Sequence, residues 1–209
     1  MGAVVKSIQL TQRPELTVTL ESAVDEATAR RFYELYVQTF GDLTVKAVAR
    51  QLLHEHEFME EMLDARVEKL LARNESGEPV AMATLTRNLE TVPWISPDYF
   101  AHHYPEQTSR NAVFYLGFIL VETTYRRSHL FIDLLTRVAE IVIDARGVCA
   151  WDICSHNNQA FGLADAIEGI CNRMATFDVG PVDTQTYYAA AFLGPLGSRK
   201  MPEMRNPAP

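Results

Sequence analysis

Arg126-Arg127-Ser128-His129-Leu130 lies between a strongly apolar run and an amphipathic one, and this arrangement suits the capture of an anion. Backbone amides at a helix start point outward with partial positive charge, so a strand-to-helix turn there can cradle a phosphate or diphosphate. Arg126 and Arg127 would add charge-assisted contacts, the competing reading being a solvated turn. In open α/β sheets ligands gather at such strand ends. For proton transfer the candidates are Glu122 at the end of the apolar run, Tyr115 within it and His156 after the next one. Each can reach a cleft between two strands, although a surface carboxylate, a core tyrosine and a loop histidine are the competing readings. Gly117, alone among bulky neighbours, signals a bulge, a close approach to the backbone or plain packing.

Other chemistries find no support. His54 and His56 lie two apart and face different sides of a helix, and His102-His103 has no ligand spacing, so no metal is expected. Cys154, with His156 two residues on, could mimic a thiol nucleophile, but a buried structural cysteine is the commoner case. Neither a Gly-x-Ser-x-Gly elbow with a triad nor a Gly-x-x-x-x-Gly-Lys loop is present, which excludes serine hydrolases and P-loop nucleotide triphosphatases.

The elements that must position these residues follow from periodicity. Val18–Leu20 reads as a short strand, and Ser22 with Asp25 three residues later resembles a capping box opening a helix toward Gly41. Val45, Val48, Leu52, Met59 and Leu63 predict a second helix. Val67–Ala72 and Val80–Leu85 predict an antiparallel hairpin around the Asn74–Glu78 turn. Residues 88–111 predict a long lid or binding loop carrying Trp94, Tyr99, Phe100 and Tyr104, or else a cluster packed on the core. Ala112–Val121, apolar on both faces, predicts a central doubly covered strand. A helix capped by Ser128 and stopped by Gly147 follows, then a strand over Val148–Cys154 and a helix over Asn157–Met174. Phe177–Val179 and Thr186–Phe192 complete the pattern as two final strands. The order predicts an α/β fold with a central mixed β-sheet flanked by helices.

The 209 residues suit one domain over 1–196, with 197–209 as a disordered tail. A composition 47% apolar and 22% charged is that of a globular protein. The net charge of -8 and a pI near 5.2 argue against nucleic acid as a partner. Three cysteines without a CxxC pair argue for a reducing compartment. The lack of a signal-like N-terminus or a membrane-length apolar run makes a cytoplasmic location and no membrane partner the expectation.

The succession over about residues 16–193, and above all Val121-Glu122-Thr123-Thr124-Tyr125-Arg126-Arg127-Ser128-His129-Leu130, resembles the GNAT superfamily of N-acyltransferases. That family carries (Arg or Gln)-x-x-Gly-x-(Gly or Ala) at its pyrophosphate loop. Arg126 fills the first position, whereas His129 and Phe131 stand where the family has small residues. Asn157-Asn158-Gln159-Ala160 is similar to the family's Asn-x-x-Ala segment beside the pantetheine arm, and Ala164 replaces the tyrosine usual seven residues after that Asn. The resemblance implies acyl transfer from acetyl- or longer acyl-coenzyme A to a small-molecule amine by direct attack, without metal. It implies a diphosphate over Arg126, Arg127, Ser128, His129 and Leu130, and pantetheine against the backbone of Phe118, Ile119, Leu120 and Val121 and beside Asn157 and Asn158. Glu122, Tyr115 or His156 would act in catalysis, and Trp94, Tyr99, Phe100 and Tyr104 would line the acceptor site. A binding module that has lost activity, an acyl carrier protein as donor and a homodimer are compatible with the same resemblance.

Overall fold

Asp25, three residues beyond the expected Ser22, caps the first helix. Its carboxylate accepts from the Thr28 amide at 2.9 Å and from the Thr28 hydroxyl at 2.7 Å, satisfying donors that a helix start leaves open. This computed structural model describes residues 17–126, 128–192 and 194, and only the backbone of Phe161. Helix α1 (Glu26–Phe40) buries Ala29, Phe32, Leu35 and Tyr36 on one stripe.

The second predicted helix is broken in two. Helix α2 (Leu43–Lys46) is barely one turn, and α3 (Glu55–Leu63) starts afresh where the His54 amide donates to Glu57 at 2.7 Å. Val45, Val48 and Leu63, expected on an apolar face, are 87%, 78% and 60% exposed. Phe58 and Met62 make the real contact with the core, each burial contributing about 1.5 to 3 kcal/mol.

Five strands form one sheet in the order β1 (Thr17–Glu21), β2 (Val67–Arg73), β3 (Pro79–Thr86), β4 (Val113–Val121) and β5 (Val148–Ala150). The first three pairings are antiparallel and the last is parallel, so the sheet is mixed as expected. The β2–β3 turn is fixed by the Asn74 side chain, which accepts from the amides of Ser76 and Glu78, and by the positive φ of Gly77. Every residue of β3 is buried, whereas β4 is fully covered only over Val113–Leu116 and again at Leu120. Helices α1 and α3 cover one face against Leu71, Met82 and Leu120. The other face carries Leu70, Ala83, Leu85 and Phe114 beneath α6 (Leu130–Asp144), whose Leu130 and Leu134 are completely buried.

Residues 88–111 are not a free loop. They form a 3₁₀ turn at Leu89–Thr91 and two short helices, α4 (Pro97–His103) and α5 (Pro105–Ser109), each with proline in its first turn. Leu89, Val92 and Phe100 pack on Val113 and Tyr115, so core packing claims most of the aromatic segment. At the end of α6 the left-handed residue is Arg146, at φ 46°, rather than Gly147. Gly147 serves closeness: a Cβ there would lie 2.6 Å from the Ala112 carbonyl oxygen and 2.7 Å from the Phe114 ring.

Strand β5 ends at Ala150, four residues short of expectation. The predicted helix after it is two, α7 (Ser155–Phe161) and α8 (Leu163–Cys171), because Gly162 turns the chain at φ 57°. Neither Phe177–Val179 nor Thr186–Phe192 is a strand; every residue of the latter is exposed, so no buried face fixes a register. The described residues divide into two compact units, one up to Val179 and one from Gly180 on. The second has neither helix nor strand among its described residues, and the predicted tail 197–209 lies outside them. Among the described residues no helix is long and apolar enough to cross a membrane.

Candidate active site

The parallel ladder between β4 and β5 is only three residues long: Val113, Phe114 and Tyr115 face Val148, Cys149 and Ala150. Beyond Tyr115 the described neighbour of β4 is β3 alone, and Gly117, Phe118, Ile119 and Val121 are partly or fully exposed. The strands part as a V, leaving main-chain groups of β4 to be satisfied by water or by a ligand with amides of its own. Within this stretch the register slips. Ala83 pairs with Ile119 and Leu85 with Leu116, so Gly117 and Phe118 together oppose Thr84 in a bulge, which re-aims their peptide groups. Gly117 permits it, since a Cβ there would sit 2.5 Å from the Thr84 hydroxyl.

At the open end of the V the chain makes a 3₁₀ turn over Thr123–Tyr125 before α6. Ser128 ties this turn down: its amide donates to the Tyr125 carbonyl at 2.8 Å, its hydroxyl donates there at 2.6 Å, and that hydroxyl accepts from the Leu130 amide at 3.3 Å. The residue preceding the helix is His129, one beyond the expected cap. Arg126, Ser128 and His129 are exposed, Leu130 is buried, and Phe131 packs half-buried on the core. The side chains of Arg126, Ser128 and His129 thus stand in solvent at the start of α6, a helix of 15 residues. Arg127 lies outside the described residues.

On the α3 side of the bulge, Glu61, Thr84, Thr86, Trp94, Tyr115 and Gly117 surround a small cavity. The Glu61 carboxylate lies 4.0 Å from the point where a Gly117 Cβ would be. Burial pushes the Glu61 carboxyl above its ordinary range, opposed by the Thr84 hydroxyl and the Lys69 charge. Thr84 is near enough to favour the carboxylate, yet its buried hydroxyl makes no hydrogen bond of normal geometry. Lys69, completely buried, donates to the carbonyls of Ser22 at 3.0 Å and Asp64 at 2.8 Å; burial brings its pKa down to about 8. Tyr115 donates its hydroxyl proton to Asp152 and accepts from the Trp94 indole at 2.9 Å. Burial first, and the Asp152 carboxylate second, hold that phenol far above its usual range.

No family model matches the sequence, and no curated protein matches it. The fold is similar to that of solved N-acetyltransferases. The aminoglycoside 6'-N-acetyltransferase AAC(6')-Ih of Acinetobacter baumannii aligns at 16% identity over 85% of this chain and 99% of its own, with a TM-score of 0.47. The ribosomal-protein-alanine N-acetyltransferase of Brucella melitensis biovar Abortus 2308 aligns at 12% identity over 83% and 99%, with a TM-score of 0.47. AAC(6')-Iy, in complex with the bisubstrate analogue CoA-S-monomethyl-acetylneamine, aligns at 12% identity over 85% and 99%, with a TM-score of 0.48.

The residues singled out in the sequence are spread over several parts of the fold. Arg126, Ser128, His129 and Leu130 line the turn before α6, and Phe118–Val121 the open stretch of β4. Glu122 stands between them but is held in an ion pair with Arg31 of α1, while its amide donates to the Val80 carbonyl at 3.0 Å. Tyr115 reaches the cavity with its proton already committed to Asp152. His156, Asn157 and Asn158 lie in α7, where the Asn158 side chain accepts from the Ala164 amide at 3.3 Å. Of the aromatic four, Trp94 is 52% exposed beside Tyr115, while Tyr99, Phe100 and Tyr104 belong to the packed cluster. Glu61, Thr84 and Lys69 were not legible as site residues, because each sits in a stretch whose pattern speaks only of packing; Gly117, across from Thr84, was the available pointer. Among the described residues no group of three or more side chains could hold a metal.

Proposed function

We propose that this protein is an N-acyltransferase that moves an acetyl or longer acyl group from acyl-coenzyme A to an amine by direct attack. The observation that carries the reading is the V between β4 and β5, with a bulge on its wall and an open helix start at its mouth. An extended ligand carrying amides, a thioester and a diphosphate matches those features in order. Arg126, His129 and the amides of the first turn of α6 that follow Leu130 would receive the diphosphate, favoured by helix-end charge worth about 0.3 to 1 kcal/mol. The backbone of Phe118–Val121 would pair with pantetheine amides, and the re-aimed peptide of the bulge would face the thioester oxygen, where negative charge develops. Holding donor and amine on one wall supplies the orientation a bimolecular reaction lacks.

Calorimetry with acetyl- and longer acyl-coenzyme A tests the donor site. Saturable binding, weakened roughly tenfold by Arg126→Ala, is the expected result, a charge-assisted contact being worth about 1.5 kcal/mol. Absence of binding with every donor overturns the reading. Thiol release with amines then separates an enzyme from a module that binds without turnover.

A further inference from the structure

We propose that Glu61 is the proton acceptor for an unbranched primary amine that enters beside Trp94, an assignment that rests on the acyl-transfer reading. The cavity between Glu61, Thr84, Trp94, Tyr115 and Gly117 has a volume of about 20 Å³. That is space for about one water-sized body, which suits a primary ammonium head. Two groups on its walls could receive such a head. Thr84 is 1% exposed, and its hydroxyl, near enough to Glu61 to favour the carboxylate, makes no hydrogen bond of normal geometry. The Glu61 carboxylate lies beside the bulge, and among the described residues it forms no ion pair, because Lys69 directs its ammonium to the carbonyls of Ser22 and Asp64.

The groups that act electrostatically on Glu61 are Lys69 of β2, Asp64 after α3, Thr84 of β3 and, more weakly, Tyr36 of α1. Burial raises the carboxyl above its ordinary range, which makes the carboxylate a stronger base than an exposed one. Tyr115 and Glu122 are unsuited to the task, one already donating to Asp152 and the other paired with Arg31. Trp94, half-exposed and anchored through its indole N–H, stands at the rim, where its ring would flank an alkyl chain or an approaching cation. In the reaction the ammonium gives a proton to the Glu61 carboxylate. The freed nitrogen attacks the thioester carbonyl carbon, the C–N bond forms and the C–S bond breaks. The second nitrogen proton ends on the departing sulfur as the thiol, and Glu61 releases its proton to solvent.

The test follows thiol release from acetyl-coenzyme A with n-butylamine and other unbranched primary amines across the pH range. Glu61→Gln is expected to lower kcat about 100-fold or more. Its acetyl-coenzyme A affinity should stay within about twofold of wild type, and its activity should recover as pH rises toward the amine's own pKa. Thr84→Val keeps the base but removes a hydroxyl that favours its charge, so the acidic limb of kcat/KM moves to higher pH; this variant decides the matter should Glu61→Gln fail to fold. Wild-type kcat in Glu61→Gln, an unmoved limb in Thr84→Val, or a donor-bound wild type that releases thiol with none of these amines overturns the proposal. A wild type that binds no acyl-coenzyme A instead overturns the acyl-transfer reading beneath it.

Discussion

Lys69 is the residue whose placement departs furthest from its chemistry. Its side chain is completely buried, and the ammonium is tolerated because two carbonyl oxygens and the nearby carboxylates of Glu61 and Asp64 offset part of the lost hydration. Burial lowers its pKa to about 8 from the 10.5 of an exposed lysine. Between those values the unfolded chain binds the proton that the folded one releases, so this residue's contribution to stability rises with pH through that window. Below it both states are protonated and the full penalty applies. Tyr36 and Cys149, both pushed up to about 12 by burial, act in the opposite direction at the alkaline end, so wild type alone does not isolate the effect. Lys69→Met does. The difference in unfolding free energy, wild type minus Lys69→Met, should climb by on the order of 1 to 3 kcal/mol from about pH 8 to about pH 10.5 in urea titrations. A flat difference would mean that the lysine keeps an ordinary pKa.

At the scale of elements, the site depends on how briefly β4 and β5 touch. Three residue pairs hold the arms of the V together, and the turn that delivers β5 is crowded at Gly147, where even a methyl group would strike the Ala112 carbonyl and the Phe114 ring. Gly147→Ala should therefore destabilise the protein by about 1 to 3 kcal/mol. It should also loosen the Tyr115–Asp152 contact, because Asp152 follows β5 by two residues. Guanidinium titration checks the first effect, and faster amide exchange over Val148–Ala150 the second. The same local forces explain what could be read from sequence. The hairpin, β4 and α6 were legible because each has an unbroken period, with the Asn74–Glu78 turn marking the hairpin and Gly147 the end of the helix. The α2–α3 break and the α7–α8 break were not. The non-helical stretch from Ala47 to Leu53 carries Val48 and Leu52 at helical spacing, and one glycine with positive φ split a pattern otherwise helical throughout. The proposed donor side is one contiguous segment, so spacing alone could point to it. Glu61, Thr84 and Gly117 meet only through tertiary contact, and single-sequence spacing carries no record of that.

For the molecule as a whole, a net charge of -8 sets a condition on any polyanionic donor. Net charge supplies no long-range attraction, so affinity would have to come from contacts made at close range, where Arg126 and the start of α6 would have to outweigh the repulsive field at ordinary ionic strength. Binding at close range to the folded state alone stabilises that state by mass action. At a donor concentration 100 times Kd the gain is about 2.7 kcal/mol. For a chain of 209 residues that corresponds to a rise in Tm of roughly 5 to 10 °C with acetyl-coenzyme A. Coenzyme A itself should give nearly the same rise, since the diphosphate and pantetheine contacts are common to both. Arg126→Ala, if it weakens the donor about tenfold, leaves about 1.4 kcal/mol at the same concentration and should halve the shift. Were the unmodified protein to melt at one temperature with and without millimolar coenzyme A, the V would have no donor to hold. Were Arg126→Ala to shift as far as wild type, the helix amides alone would carry the diphosphate, and the arginine would be a solvated turn residue after all.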